Sequence, residues 1–253
     1  MNKFKPISPK TIRSGCRDGT FAGPTSGHAT GFVQANMVIL PKAYARDFEE
    51  FCLLNPQPCP ILEKLPTGSF KTQVIASAAD VRTDLPRYNV FRNGNVIDQP
   101  CDISDLWDDD LVTFLLGCSF IAEEALLEAG LSLPHITETG FVPMYRTSVP
   151  CKAAGRFDGT MVVSMRPFTA EEAERATGIT KHYPMAHGAP LHIGEPSVLG
   201  IKDLDQPDFG EPVTIKDGQV PVFWACGVTP QIALANARPP LAITHAPGHM
   251  FVA

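Results

Sequence analysis

Apolar positions along this chain switch between a helical and an alternating period, and the switches mark its elements. Tyr44, Phe48, Phe51 and Cys52 recur at helical spacing behind Pro41, which suits a first helical position, and Asn55-Pro56 ends the run. The stretch SDLWDDDLVTFLLGCSFIAEEALLEAG predicts two helical segments broken at Gly117-Cys118, with Ser119 capping the second and Gly130 closing it. TAEEAERATG predicts a short helix with a capping box from Thr169 to Glu172. TQVIAS, VPMYRTSV and TMVVSMRPF read as strands, and residues 1–31 as loop. YNVFRNGNVID predicts a hairpin about Asn93-Gly94, and VTIKDGQVPVFWACG one about Asp217-Gly218.

The C-terminal stretch VPVFWACGVTPQIALANARPPLAITHAPGHM parses as strand, turn, helix and strand. Thr229 caps the helix, Pro230 opens it and Pro239-Pro240 ends it. The crossover is long enough for two parallel strands, which would bring Cys226, Gly227 and Thr229 to the same sheet edge as His245 and His249. The expected fold is therefore α/β: a mixed sheet with a C-terminal strand-helix-strand unit, plus a smaller α+β subdomain. The expected main domain is discontinuous, over residues 1–131 and 199–253. The smaller part is inserted at 132–198, with the site in the cleft between them.

Composition narrows the function classes. With 44% hydrophobic and 19% charged residues the chain is an ordinary globular sequence. Its net charge of −6 leaves no basic stripe for nucleic acid. No apolar run approaches the ~20 residues a membrane-spanning helix needs. The N-terminal MNKFKPISPK is basic and polar, and reads as a disordered lead-in without an apolar signal core. Seven scattered cysteines without a Cys-x-x-Cys pair point to reduced thiols in a cytoplasmic setting. There is no dinucleotide fingerprint and no P-loop.

The strings GFVQANMVILP, ADVRTDLPRYNVFRNG, FLLGCSF, VPMYRTSVPC, MVVSMRPF, HGAPLHIGEP, VPVFWACGVTPQ and ITHAPGHMFV closely resemble the D-glutamate cyclase family, whose bacterial members are named hydro-lyases. The likeness runs from about Gly23 to the C-terminus. Around GHATGF the chain departs from the GLAPGY expected of relatives, so His28 stays outside any shared site. The resemblance implies a lyase that removes water from a small amino or carboxylic acid, with D-glutamate closing to 5-oxo-D-proline as the leading case. It carries no established set of catalytic residues.

That reaction needs a clamp for the α-carboxylate, a base for the ammonium, and stabilisation of the oxyanion and leaving hydroxide. Arginine forks suit the clamp, and Arg82, Arg87, Arg146 and Arg166 are the candidates, each with a structural ion pair as its alternative. His187, His192 and His245 are the candidate proton carriers, against the plainer reading of satisfied loop or core imidazoles. A divalent metal such as manganese would draw on His187, His192, Glu195 and His249, with Asp203, Asp205 and Asp208 as oxygen donors unless that run is a solvated turn. Cys118 and Cys226 sit at glycine-flanked turns, where the amides near Gly117–Ser119 and Gly227–Thr229 could cradle a carboxylate. Ser119, Thr229 and Tyr145 are candidate hydrogen-bond donors.

Two other classes remain open at this level. One is a Cys/His amidohydrolase or transferase with Cys226 as nucleophile and His245 as base, which requires a low-pKa thiol. The other is a non-catalytic carboxylate-binding protein. The expected partner is a small-molecule substrate, with neither nucleic acid nor membrane, and a homodimer is the assembly to test.

Overall fold

The computed structural model describes residues 7–253, so most of the basic lead-in, residues 1–6, lies outside the described residues. Where loop was predicted, Pro9–Asp18 forms helix α1. Ser8 accepts the Thr11 amide, Pro9 opens the helix and Gly19 closes it in the left-handed region. The helix buries Ile12 and Cys16 against Ala29 and Val252.

Strand β1 (Gln34–Pro41) leads directly into helix α2 (Lys42–Leu54), whose cap is Pro41 itself. Strand β2 (Ile61–Lys64), the hairpin of β3 (Tyr88–Arg92) and β4 (Asn95–Asp98), and strand β5 (Leu111–Gly117) follow. Asn93 and Gly94 take positive φ in the hairpin turn, as their pairing predicted. Short helices α3 (Glu123–Glu128) and α4 (Pro134–Glu138) precede β6 (Met144–Pro150), β7 (Thr160–Thr169), helix α5 (Ala170–Thr180) and β8 (His192–Ile193). The Thr169–Glu172 capping box of α5 is formed. The chain closes with β9 (Gln219–Ala225), α6 (Thr229–Ala237), β10 (Ala242–His245) and β11 (Phe251–Val252).

The strands form two sheets, ordered β2-β5-β1-β10-β3-β4 with β11 beside β1, and β6-β7-β9-β8. The α/β class holds, but the strands pair antiparallel in both sheets rather than in a mixed sheet. The C-terminal strand-helix-strand unit is also not a parallel crossover. Strand β9 belongs to the second sheet and β10 to the first, so α6 steps between sheets. The second sheet draws its strands from Met144 to Ala225 and so extends past the expected boundary at residue 198.

Three local readings fail for identifiable reasons. Leu111–Gly117 is a strand, not a helix: it is buried at every position between β1 and β2, and a continuous apolar run has no period to separate the two structures. TQVIAS is a loop with Val74 75% exposed. Its Gln73, Val74 and Ile75 amides wrap the buried Glu63 carboxylate, a partner that pattern alone cannot reveal. Residues 211–216 form no strand, so only the turn and second arm of that hairpin exist.

Alternation sorts the core. In the first sheet Val38, Leu40, Phe114 and Leu116 pack under α2 and α6, while Met37, Ile39 and Leu115 pack against loop residues Leu65, Leu85 and Ile103. In the second sheet Met165 and Phe223 face a cluster with Tyr145 and Leu199. The opposite face carries Val162 and Cys226, packed on Cys118 and Phe120, and Phe168 and Trp224, packed on α3 and α5. Ser164 and Arg166 alternate with Val163 and Met165, so they share this inner face.

Candidate functional site

The inner face of the second sheet presents a charge to an otherwise apolar layer. Arg166, 2% exposed, projects from β7 toward the turn that ends β5. Its Nη2 donates to Glu123 Oε1 and Ser119 Oγ, both at 3.1 Å, and its Nη1 to Ser164 Oγ at 3.3 Å. Its Nε is fully buried without a partner. The guanidinium carbon lies 5.7 Å from the centre of the Trp224 ring. A narrow cavity lined by Ser119, Ala122, Leu126, Thr180, Ala186 and Trp224 opens on Arg166.

Glu123 is shared, because His135 Nε2 also lies 2.7 Å from its Oε1. Burial works to raise the Glu123 carboxyl, but His135 and Arg166 together hold it below the ordinary value. Burial pushes His135 below its ordinary value against the pull of Glu123, and its Nε2 faces the carboxylate as the donor. The cation is thus pinned by one anion and still has a donor to spare.

His187 follows Ala186, which lines that cavity. It is 1% exposed and lies on the segment Pro184–Ala189, in the left-handed region at φ 72°. Its Nδ1 lies 2.7 Å from the Gln57 carbonyl and so carries the hydrogen, leaving Nε2 as a bare lone pair. Burial first, then the charge of Arg166, push its pKa down to about 4. The same segment lies against the end of β5: a Cβ at Gly117 would fall 1.7 Å from the Met185 carbonyl oxygen. Asn36 Nδ2 donates to the Gly117 carbonyl at 2.6 Å, and a Cβ at Gly227 would collide with that same Asn36 amide. Both glycine turns are therefore needed for close approach between elements.

These turns hold thiols rather than an open anion cradle. The amides of Phe120 and Val228 face Cys118 and Cys226 and partly offset burial, which pushes the Cys118 thiol up and that of Cys226 up to about 11. The low-pKa thiol required of a cysteine nucleophile is absent at both positions. His245 is no base for Cys226 either: its Nδ1 accepts the Met37 amide at 3.1 Å. Thr229 is also structural, since its hydroxyl donates to the Cys226 carbonyl at 2.7 Å and accepts the Val162 amide at 3.0 Å.

The other sequence candidates lie elsewhere. Arg82 forks onto Asp80, and Arg146 is exposed beside Asp208. Arg87 acts electrostatically on the half-buried His249, which in turn acts on His245. His192 stacks on Phe223, on the outer face of the second sheet, and its Nε2 lies 2.9 Å from the Glu195 carbonyl. Tyr145 donates to the Leu204 carbonyl on that face. The proposed metal donors His187, His192, Glu195 and His249 are thus not gathered. Asp203 and Asp208 are engaged by the Asp205 amide and by Arg146, and no group of three or more His, Cys, Asp or Glu is placed to hold a metal among the described residues.

The profile of the family described as D-glutamate cyclase matches residues 112–253. The chain belongs to the D-glutamate cyclase family. Relatives match over its whole length. A protein of Geobacillus kaustophilus is 51% identical over 252 residues, covering 100% of this chain and 96% of the relative. One of Rubrobacter xylanophilus is 54% identical over 240 residues, covering 95% and 93%. Both bear the name "Putative hydro-lyase".

Five of the strings that carry the resemblance to the D-glutamate cyclase family meet at the Arg166 centre. They supply Asn36, the turn Gly117–Ser119, Ser164 with Arg166, His187, and Trp224 with Cys226. Sequence reasoning missed Glu123, His135, Ser164, Asn36 and Gln57. Ser164 had a signal, because it stands two residues from Arg166 on an otherwise apolar strand. Glu123 had none, being one of two adjacent acids in an ordinary first helical turn.

Proposed function

We propose that the chain is a hydro-lyase that closes D-glutamate to 5-oxo-D-proline with loss of water. The family and the names of the relatives support the reaction class. One observation carries the assignment to this centre: a buried guanidinium, backed by a single carboxylate, with an unpartnered Nε. An unmet buried donor costs ~1–3 kcal/mol, more when charged, and a substrate carboxylate oxygen relieves it.

In this reading Arg166 binds the α-carboxylate, with the hydroxyls of Ser119 and Ser164 alongside. Glu123 and His135 are positioning residues that fix the guanidinium. His187 Nε2 takes a proton from the substrate ammonium. The freed amine attacks the side-chain carboxyl carbon, so a C–N bond forms and a C–O bond breaks. The two protons lost by the ammonium depart with that oxygen as water. With its pKa pushed down to about 4, His187 is neutral before the step and gives its proton up readily, but it is a weak base for an ammonium, so the uphill transfer adds to the barrier. In this scheme the second sheet belongs to the smaller subdomain, and its inner face walls the narrow cavity that opens on Arg166.

The test is direct: purified protein is incubated with D-glutamate, with and without manganese, and 5-oxoproline is assayed. Product is expected, with a loss of about 10²-fold or more in kcat/KM for Arg166→Gln. No product from folded wild-type protein under either condition overturns the D-glutamate assignment.

A further inference from the structure

The cavity that opens on Arg166 has about 10 Å³ of room, enough for roughly one water. D-Glutamate is several times larger, so a wall has to move before it reaches the guanidinium. Most of the walls stand on strands and helices: Leu126 on α3, Thr180 on α5, Trp224 on β9. Ala186 instead belongs to residues 184–189, in the link from α5 to β8. That link has the form of a plug. Pro184 and Met185 are exposed, while Ala186 and His187 are each 1% exposed. The Tyr183 carbonyl accepts the Ala186 amide at 2.8 Å and the Gly188 amide at 3.0 Å, so the segment curls on itself. His187 and Gly188 both lie in the left-handed region, at φ 72° and 67°. A histidine seldom holds that conformation and a glycine holds it freely, so the pair can absorb a change of chain direction.

Among the described residues, the hydrogen bonds from this segment to another element go to one residue. Gln57 accepts the His187 ring hydrogen on its carbonyl at 2.7 Å, and its side-chain Nε2 donates to the Ala189 carbonyl at 3.0 Å. Gln57 is itself held firmly. It stands between Pro56 and Pro58, whose rings fix φ. The preceding Asn55 donates its side-chain amide to the Phe51 and Lys152 carbonyls, both at 2.8 Å. A segment with a left-handed turn is thus fastened at one point to a stiff anchor.

We infer that residues 184–189 are a flap latched by Gln57: lifted, it opens the cavity to a ligand the size of glutamate, and closed, it seats Ala186 and His187 again. Gln57 is then a positioning residue for His187. The effect on turnover rests on the reading of His187 as the proton acceptor, whereas opening of the cavity does not.

Trp224 reports the opening, because it walls the cavity and is 2% exposed. The other tryptophan is silenced by Trp107→Phe in every protein compared. Acrylamide quenching of Trp224 is measured on the full chain, together with hydrogen exchange at the Ala186 and Gly188 amides. Gln57→Ala removes the bond to Ala189. Gly188→Ala strains the closed conformation without a clash, since the nearest atom to the added Cβ would be the Pro184 Cα at 4.0 Å. Quenching and exchange are expected to rise about two- to tenfold in Gln57→Ala and about fivefold or more in Gly188→Ala. With the ring less buried, the NMR titration of His187 in Gln57→Ala should move up from about 4 toward 6.5, which general loosening of the fold would not single out. The kcat/KM for D-glutamate should fall in both variants. The inference is overturned if Trp224 stays as shielded in both variants as in the parent, if the two amides exchange no faster, or if β7 and β9 speed up equally. Wild-type protein inactive on D-glutamate would sink the proposed reaction, while quenching, exchange and titration would still decide the flap.

Discussion

His187 and His245 are each 1% exposed, and burial pushes the pKa of each down to about 4, but their hydrogen bonds run in opposite directions. His187 donates from Nδ1 to a carbonyl, so its Nε2 holds a lone pair, within the field of the Arg166 charge. His245 accepts at Nδ1 from the Met37 amide. The Met37 carbonyl lies 3.4 Å from the same nitrogen, but the shorter contact comes from a group that can only donate, so it sets the tautomer. The hydrogen of His245 then sits on Nε2, buried and unpartnered. An equally shifted pKa thus goes with a bare Nε2 lone pair in one place and a strand-end packing residue in the other. Among the groups acting on the two rings, Arg166 appears only for His187.

The largest expected effect separates the two by activity. His187→Gln should lower kcat on D-glutamate by about 10²-fold or more and leave the fold intact, while His245→Gln should lower the melting temperature and spare kcat. Equal losses of kcat in both variants would break the contrast.

The next effect should be common to both. Each histidine titrates near pH 6.5 when unfolded and near 4 when folded, so below pH 6.5 the unfolded state binds the proton first. Stability contributed by neutral burial is complete above pH 6.5, falls as pH drops toward 4, and levels off below it. The gap corresponds to roughly 3 kcal/mol per histidine. Urea unfolding between pH 7 and 4 should therefore show a shallower decline in either single variant than in wild type. An unchanged slope in His187→Gln would mean that the ring is already charged in the folded protein.

The smallest effect is a control from outside both regions. Arg146 is exposed and lies 3.7 Å from Asp208, so Arg146→Ala should change stability by no more than ~0.5 kcal/mol and leave kcat/KM unchanged. A large loss of activity would move the substrate clamp away from Arg166.

Much of this arrangement could be read from pattern, and the rest failed where partners are remote. The helices α2 and α5, the Asn93-Gly94 turn and strands β6, β7 and β9 follow from spacing and turn chemistry, because local rules govern them. Arg166 was recognisable as a charge in an apolar strand that needs a partner. Its partner Glu123 lies 43 positions away, and no local rule links them. The closing ITHAPGH failed for a different reason. Reading it depended on β9 and β10 sharing a sheet, and they lie in separate ones, β9 between β7 and β8 and β10 between β1 and β3. Once that happens, His245 and Cys226 no longer overlook a common edge.

The single amide of Asn36 touches three parts of the molecule: its own strand β1, the end of β5, and the turn after β9. The two sheets therefore share a joint, and that joint sits beside the Arg166 centre. A change at that one amide is therefore felt by both sheets at once.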